Sequence, residues 1–270
     1  MAGWEWDESL YSGSAAYYAR GRVAYPPELA DELADALRLD GSGRLLDVGC
    51  GPGSLTLLLA THFEDTVGLD ADPDMLAEAA RLAAAKGITT TRWAHGRAED
   101  LPPGLGAFRL VTFAQSFHWL DRPRVAAAVR GMLEPGGACV HVHATTHRGG
   151  ATESTPPHER IAELVREYLG ETRRAGRGTL PEGTAAGETE IYRAAGFTGP
   201  ERIEVPGSAV VRDIDDVVAT VFSLSSSAPH LFGDRVGAFE SELRGLLTAA
   251  SPSGKFREQM REFVVDVWRP

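Results

Sequence analysis

Three glycines at alternate positions, Gly49, Gly51 and Gly53, follow a short apolar run and lead into a segment with helical character. Glycine permits positive φ and lets a ligand approach the backbone closely. Amide groups at the start of a helix lack partners within the helix, so they can donate hydrogen bonds to ligand oxygens. The stretch Leu45–Ser54, LLDVGCGPGS, therefore predicts a strand, a ligand-binding loop and a helix in that order.

Two acids accompany this loop. Asp47 lies two residues before the first glycine, at the carboxyl end of the first predicted strand. Asp70 ends the next predicted strand, VGLD, 21 residues after Gly49. The carboxyl ends of the strands are where ligands bind in a doubly wound sheet, and an acid there can accept hydrogen bonds from both hydroxyls of a ribose.

Apolar runs alternate with helical stretches throughout residues 44–146. We predict strands in RLLDVG, DTVGLDAD, TTTRWAHGRAEDLP with its exit loop, FRLVTFAQSFHWL and ACVHVHATTH. We predict helices in SLTLLLATHF, PDMLAEAARLAAAKG and PRVAAAVRGMLEPGG, the last closed by its Pro-Gly-Gly turn. Pro26 and Pro27, followed by leucines at helical spacing, predict one more helix upstream. This alternation favours a parallel, doubly wound α/β sheet.

The pattern changes after residue 146. HERIAELVREYLG and TEIYRAAGF predict helices, and ERIEVPGSAVV predicts a strand pair or a bent strand. Residues 213–250 predict two helices separated by SSSAPHLFGD, and REFVVDVWRP predicts a closing strand. The glycine-rich RRAGRGTLPEGTAAGE is expected to be mobile or to face substrate. The fold class is therefore a Rossmann-like, mostly parallel sheet with an antiparallel closing strand and a helical cap.

Composition restricts the partners. The formal net charge is −11, and the densest basic stretch, Arg173–Arg177, is short, so nucleic acid is not expected as a partner. The N-terminus does not have the pattern of a signal peptide, and no apolar run approaches the length of a membrane span. Cys50 and Cys139 lie in a glycine loop and an apolar run, so we expect both to be reduced in a cytoplasmic protein.

LLDVGCGPGS together with VGLDADPDML resembles the first two motifs of class I S-adenosylmethionine-dependent methyltransferases. The glycine spacing is Gly-x-Gly-x-Gly, unlike the Gly-x-Gly-x-x-Gly of nicotinamide enzymes, and Asp47 matches an acid typical of the methyltransferases. HGRAEDLP and FRLVTFAQSFHWLD are similar to their third and fourth motifs, and LEPGG precedes the fifth strand. The resemblance covers residues 11–146 and implies the fold and the cofactor S-adenosylmethionine, but hardly the substrate.

The resemblance also implies roles for the matching residues of the core. The methionine end of the cofactor would be held by the glycine loop, the ribose by the acid of the second strand, and the adenine by the third motif. The residues implied are Asp47 and Gly49 for the methionine end, Cys50, Gly51 and Gly53 for the loop, Asp70 for the ribose, Ala71, Met75, Ala98 and Glu99 for the adenine, and Gln115 for the amine. No thiol chemistry is assigned to Cys50.

The N-terminal YARGRVAYP resembles a motif, Tyr-x-x-x-Arg-Pro-x-Tyr-Pro, of a methyltransferase group that includes trans-aconitate methyltransferase. Tyr18, Arg22, Tyr25 and Pro26 match it, whereas Val23 replaces its first proline. The resemblance implies that Tyr18 and Arg22 close over the cofactor, with the arginine facing its carboxylate. We predict three parts: residues 1–40 closing over the cofactor, 41–146 binding it, and 147–270 forming a helical substrate cap and the last strands, since the glycine-rich and serine-rich loops lie outside the sheet repeats.

Histidines offer weaker signals. His118 follows the fourth predicted strand, where methyltransferases often place catalytic groups, and the alternative is packing of the pocket wall. His141 and His143 share one face of a strand, but a zinc site needs a third and a fourth ligand. We therefore expect no metal.

The sequence predicts methyl transfer to a small-molecule acceptor, such as a natural-product intermediate or a carboxylic acid. A general base is needed only if the acceptor must lose a proton, since the sulfonium is already an excellent leaving group. The alternative is an S-adenosylmethionine-binding cyclase or isomerase on the same fold, because binding residues and transfer geometry are separable. The oligomeric state stays open.

Overall fold

The computed structural model of this chain describes residue 7 and residues 9–101, 104–172, 174–175, 178–179 and 187–270. Most of the glycine-rich stretch that was expected to be mobile lies outside these residues. The described chain divides into two compact units. The sheet unit holds the described residues of Tyr25–Ala144, Thr184–Pro206 and Glu262–Pro270, and the helical unit holds those of Met1–Ala24, Thr145–Gly183 and Gly207–Arg261.

The helices follow one another as α1 Ala15–Gly21, α2 Pro27–Leu37, α3 Ser54–Leu59, α4 Pro73–Ala85, α5 Arg122–Arg130, α6 His158–Leu169, α7 Glu188–Ala194, α8 Ile214–Phe222 and α9 Val236–Ala250. The strands are β1 Arg44–Val48, β2 Asp65–Asp70, β3 Thr91–His95, β4 Phe108–Ala114, β5 Leu133–His143, β6 Arg174–Ala175, β7 Gly178–Thr179, β8 Thr198–Val205, β9 Ala209–Asp213, β10 Lys255–Gln259 and β11 Phe263–Arg269.

The sheet unit is built on a seven-stranded sheet, in the described part of the chain, with the order β3-β2-β1-β4-β5-β11-β8. Strands β1 to β5 run parallel, and β11 runs antiparallel to both of its neighbours, β5 and β8. The predicted Rossmann-like, mostly parallel sheet with an antiparallel closing strand is therefore confirmed. Its carboxyl ends from β1 to β4 form one edge, where the glycine loop begins.

Both faces of this sheet are buried, which is why its central strands read as continuous apolar runs. Leu45 and Leu110 belong to one buried cluster, with Leu29 and Leu33 of α2. The alternate residues of the same strands, Leu46 and Val48 of β1 and Val111 and Phe113 of β4, belong to a second cluster. That second cluster also contains Tyr192 of α7 and Trp268 of β11, stacked with ring centroids 4.9 Å apart.

One boundary prediction was wrong. The Pro-Gly-Gly of residues 135–137 was expected to close a helix, but α5 ends at Arg130 and these residues lie within β5. The register of β5 against β4 moves from Phe108↔Leu133 to Leu110↔Ala138, so extra residues of β5 form a bulge. Gly136 accommodates the bulge with a φ of +81°.

The helical unit has its own apolar core. Helices α6, α8 and α9 contribute to one buried cluster in which Phe222, Phe232 and Phe239 pack with ring centroids 4.1–5.9 Å apart. The predicted helices in HERIAELVREYLG and residues 213–250 are confirmed as α6, α8 and α9. The predicted strand pair in ERIEVPGSAVV is present as β8 and β9, which lie in different sheets. None of the described helices is long and apolar enough to cross a bilayer.

Candidate functional site

The residues implied by the first four motifs meet at the carboxyl edge of the sheet. Gly49 follows β1, Asp70 ends β2, Gly96 follows β3 and Gln115 follows β4. These strands are parallel neighbours, so their carboxyl ends must lie side by side. The structure thus gathers at one edge four residues that are far apart in the sequence.

Asp70 and the glycine loop are joined directly. The amide of Gly51 donates to Asp70 Oδ2 over 2.7 Å, and the amide of Asp72 donates to Oδ1 over 2.9 Å. The amides of Gly49 and Cys50 both donate to the Leu69 carbonyl, at 2.8 and 3.0 Å, which fixes the loop against the end of β2. Each carboxylate oxygen has two lone pairs, so Asp70 retains acceptor capacity for two further donors.

The ionisation of Asp70 is affected mainly by its burial, since the residue is only 9% exposed. Burial raises the pKa of Asp70 to about 6, while the two amide hydrogen bonds lower it and the nearby carboxylates of Asp72 and Asp47 raise it. At neutral pH the side chain is therefore mostly ionised and acts as a strong acceptor for hydroxyl donors.

The glycines of the loop are required for different reasons. Gly49 has a φ of +67°, and a Cβ there would lie 2.4 Å from the Ser116 Cβ. Gly53 has a φ of +78°, and its Cβ would lie 2.7 Å from the Trp93 ring. At Gly51, with a φ of +54°, a Cβ would meet no atom within 4 Å. The backbone at Gly51 therefore faces open space, where another molecule can approach it.

Asp47 is buried beside this loop. Its carboxylate accepts hydrogen bonds from the hydroxyls of Thr56, at 2.5 Å, and Thr112, at 2.7 Å. Burial raises the pKa of Asp47, against the effect of these two hydroxyls. The carboxylate is fully buried. Through its two hydrogen bonds it joins β1, α3 and β4 at the point where the glycine loop begins.

The segment after Asp70 begins α4. Asp72 caps this helix by accepting from the amides of Asp74 and Met75, at 2.9 and 3.2 Å. Met75 is buried, whereas Ala71 is partly exposed and its carbonyl lies 3.2 Å from His95 Nε2. Of Ala71 and Met75, two of the four residues implied for the adenine, Ala71 is therefore the more accessible.

The third motif forms a short turn, Ala98–Asp100, after β3. Ala98 is buried there. Glu99 Oε1 accepts from the Asp121 amide over 2.9 Å, and Arg97 Nε lies 3.4 Å from its other oxygen. One carboxylate oxygen of Glu99 therefore already binds the start of α5, and the other makes the longer contact with Arg97.

Gln115 has a left-handed backbone, with a φ of +58°, which is uncommon for a residue other than glycine. Its side chain donates to the Tyr25 hydroxyl over 3.1 Å. The next residue, Ser116, donates to the Val48 carbonyl over 2.5 Å and ties β4 to β1. Such backbone strain is concentrated at functional sites in proteins. His118 follows in the turn Phe117–Trp119, with its ring centroid 4.9 Å from that of Trp119.

Tyr18 and Arg22 belong to the helical unit. The Arg22 guanidinium lies over the Tyr18 ring, 4.7 Å from its centroid. It also donates to the hydroxyl and the carbonyl of Ser223, at 2.8 and 2.9 Å. Arg22 is thus held in a defined orientation by protein groups alone.

Sequence reasoning missed several partners of the predicted residues in each unit. Thr56 and Thr112 hold Asp47, Ser116 presses against Gly49, and Ser223 binds Arg22. A threonine in the otherwise apolar run FRLVTFA is the one available signal, since a buried hydroxyl needs a hydrogen-bond partner.

The two cysteines and the pair His141 and His143 supply no further functional group at the carboxyl edge of the sheet. Cys50 and Cys139 are both free and buried, and burial raises the pKa of both thiols, that of Cys139 to about 12. His141 stacks on His143 at 4.2 Å, and burial lowers the pKa of His141 to about 3. Within the described ranges, no three His, Cys, Asp or Glu side chains are grouped so that they could hold a metal ion.

Comparison with known proteins bears on the same region. Residues 45–137 match the family model of a methyltransferase domain. An uncharacterised methyltransferase of Mycobacterium tuberculosis is 38% identical over 132 residues, which are 48% of this chain and 51% of that protein. The chain thus spans about half the length of this protein and of two other mycobacterial relatives that it matches.

Solved structures match over most of the chain. The YcgJ protein of Bacillus subtilis has a TM-score of 0.50 at 17% identity, covering 90% of this chain and 98% of that one. An S-adenosylmethionine-dependent methyltransferase of Geobacter sulfurreducens, solved with S-adenosyl-L-homocysteine, has a TM-score of 0.50 at 16% identity, covering 97% of each chain. At these identities the likeness establishes the fold. Over residues 45–137 the chain is similar to a methyltransferase domain, on a fold that it shares with solved S-adenosylmethionine-dependent methyltransferases.

Proposed function

We propose that this protein binds S-adenosylmethionine at the carboxyl edge of the sheet and transfers its methyl group to a small-molecule acceptor. The observation that carries the proposal is the hydrogen bond between the Gly51 amide and Asp70, which joins the open part of the glycine loop to a buried acid. The Geobacter relative with bound S-adenosylhomocysteine supports the choice of cofactor.

The residues present fit this cofactor. Asp70 would accept the ribose hydroxyls with its remaining lone pairs. Gly49 and Gly51 would contact the methionine end through their carbonyls, since their amides already donate to Leu69 and Asp70, and Ala71 would lie along the adenine. The Gln115 carbonyl would accept from the amine. S-adenosylmethionine supplies a methyl group on a sulfonium, so the protein mainly has to align the acceptor with that group and exclude water.

Other parts of the prediction remain proposals. Glu99 and Ala98 would read the adenine edge, and His118 would accept a proton from acceptors that carry one. Residues 1–40, with Tyr18 and Arg22, would close over the cofactor, and residues 147–270 would supply the substrate cap. A natural-product intermediate or a carboxylic acid remains the expected acceptor, in a cytoplasmic protein without nucleic-acid partners. The likeness to the trans-aconitate methyltransferase group rests on the N-terminal motif alone.

Calorimetric titration with S-adenosylmethionine, S-adenosylhomocysteine and NAD tests the cofactor. We expect micromolar binding of the two methyl-cycle compounds and none of NAD. Transfer of tritium from methyl-labelled S-adenosylmethionine to a panel of phenols and carboxylic acids then tests the reaction. A folded protein that binds neither methyl-cycle compound would overturn the proposal. A cofactor-dependent product that lacks the labelled methyl would contradict methyl transfer and leave the cofactor site standing.

Cofactor affinity should depend on pH through Asp70. The pKa of Asp70 in the free protein is about 6, so its ionised fraction falls as the pH falls below 6. Ribose hydroxyls donate more strongly to the ionised form, and we expect about tenfold weaker binding of S-adenosylhomocysteine at pH 5 than at pH 7. Titrations between pH 5 and 8 would show an inflection near 6. The Asp70→Asn variant should lack it, and an unchanged inflection there would assign it to another group.

A further inference from the structure

The helical unit contains a partly open cavity of about 380 Å³, lined by described residues of that unit alone. This volume falls within the range of small-molecule pockets, roughly 300–1,000 Å³. Its lining contains none of the residues to which we assign the cofactor. It is therefore a candidate site in its own right.

The walls of this cavity are apolar and come from two helices. Ile161, Val165 and Leu169 are spaced four residues apart on α6, and Val217 and Val221 are spaced likewise on α8. Residues at this spacing lie on one face of a helix, so each helix presents an apolar stripe to the cavity. These walls suit the hydrocarbon body of a ligand.

Part of the lining is polar, and its buried charges largely compensate one another. Arg212 Nε lies 3.1 Å from Glu258 Oε2, and both side chains are almost fully buried. His158 Nε2 lies 3.0 Å from Glu258 Oε1, which also accepts from the Gly149 amide at 2.9 Å. Glu258 Oε1 therefore has its hydrogen-bond partners within the protein, whereas Oε2 is compensated by the charge of Arg212 without a hydrogen bond.

The Arg148 guanidinium and the His147 imidazole also belong to the lining, but they do not take part in the pairing around Glu258. Arg148 is exposed and makes no ion pair with the part of the chain that the structure describes, whereas Arg166 lies 3.7 Å from Glu171. His147 Nδ1 is buried and has no hydrogen-bond partner among the described residues. The pKa of His147 is lowered to about 4, mainly by burial and then by the charges of Arg22, Arg212, Arg148 and His158, so the local potential is positive.

We propose that this cavity binds a small molecule with an apolar body and a single carboxylate, which Arg148 neutralises and the His147 imidazole hydrogen-bonds. The apolar stripes of α6 and α8 cover the body, and Arg148 and His147 receive the carboxylate. An arginine–carboxylate contact is charge-assisted and favours an anion over a neutral group of the same size. The site goes beyond the proposed function, because it needs neither the cofactor nor methyl transfer.

A matched series of ligands separates the two parts of this recognition. Octanoate, 1-octanol and acetate are titrated into the protein by calorimetry, without S-adenosylmethionine, so the result is independent of the cofactor site. We expect octanoate to bind, 1-octanol to bind about tenfold more weakly, and acetate not to bind measurably. Octanoate and 1-octanol binding with equal affinity would overturn the assignment of an anionic group, and failure of both to bind would overturn the site.

Three variants locate the binding. Arg148→Gln should weaken octanoate about tenfold and leave 1-octanol unchanged, and Arg160→Gln, an exposed arginine of α6 outside the lining, should change neither. Ala162→Trp fills the cavity from an exposed lining position and should abolish binding of both ligands. Octanoate binding that survives Ala162→Trp, or that responds equally to both arginine variants, would contradict the proposal.

Discussion

Replacing Asp70 by alanine is expected to weaken the binding of S-adenosylhomocysteine at pH 7.5 by about 100-fold or more. The carboxylate would accept two ribose hydroxyls, and a hydrogen bond to a charged group contributes about 1.5–3 kcal/mol. The change also removes the acceptor that holds the Gly51 amide at 2.7 Å, so only the backbone hydrogen bonds of Gly49 and Cys50 to Leu69 still join the loop to β2. Calorimetric titration measures the effect directly.

Two further variants make this result specific. Asp70→Asn keeps one acceptor oxygen and should lose less affinity than Asp70→Ala. Asp74→Asn removes an exposed acid four residues further along the chain and should bind like the wild type. Thermal unfolding shows whether each variant is folded. A folded Asp70→Ala protein with wild-type affinity would remove Asp70 from the cofactor site.

The sequence alone predicted that the glycine loop and Asp70 lie close together. The prediction is possible because the topology of the sheet determines their proximity. β1 and β2 are parallel neighbours, with Val48 opposite Leu69, so residues that follow these strands must share an edge. Motif spacing encodes this arrangement, because a strand, a crossover helix and a second strand fix the distance in sequence between the loop and the acid. The same logic placed Gln115 at that edge, after β4.

The side-chain partners could not be predicted in this way. Thr112 is 65 residues from Asp47, and Ser223 is 201 residues from Arg22. Neither pair leaves a periodic signal in the sequence, because the packing of the fold determines which hydroxyl contacts which charged group. The bulge in β5 could not be predicted for a related reason. Pro-Gly-Gly is typical of turns, and only the pairing of β5 with β4 keeps these residues in a strand.

The buried ion pair Arg212–Glu258 could not be predicted from the sequence either. Breaking this pair is expected to cause the largest loss of stability. Phe256 is paired with Arg212 across β9 and β10, which places Glu258 two residues along on the same face. Burial lowers the pKa of Arg212. Burial also raises the pKa of Glu258, but His158, the Gly149 amide and Arg212 outweigh that effect and lower it overall.

Arg212→Leu should reduce the free energy of unfolding by about 3–5 kcal/mol, because it leaves a buried carboxylate without its cation. The variant also loses the guanidinium that donates to Thr220 Oγ1, Gly21 O and Thr146 O. Urea denaturation at pH 7 measures the change. Arg81→Leu, which breaks an exposed pair with Glu78 on α4, is the control and should leave the midpoint essentially unchanged.

The double variant Arg212→Leu, Glu258→Leu distinguishes an unpaired charge from simple loss of packing. Removing both charges should recover part of the stability lost in the single variant, since a buried pair replaced by apolar residues is often neutral. The sign of the pH dependence gives a second criterion. Without Arg212, the pKa of Glu258 should rise above its ordinary value, so the single variant should regain stability relative to wild type as the pH falls from 7 to 5. A deficit that is constant with pH, and equal in the double variant, would show that Arg212 stabilises the helical unit by packing and by its hydrogen bonds to Thr220, Gly21 and Thr146, and not by its charge.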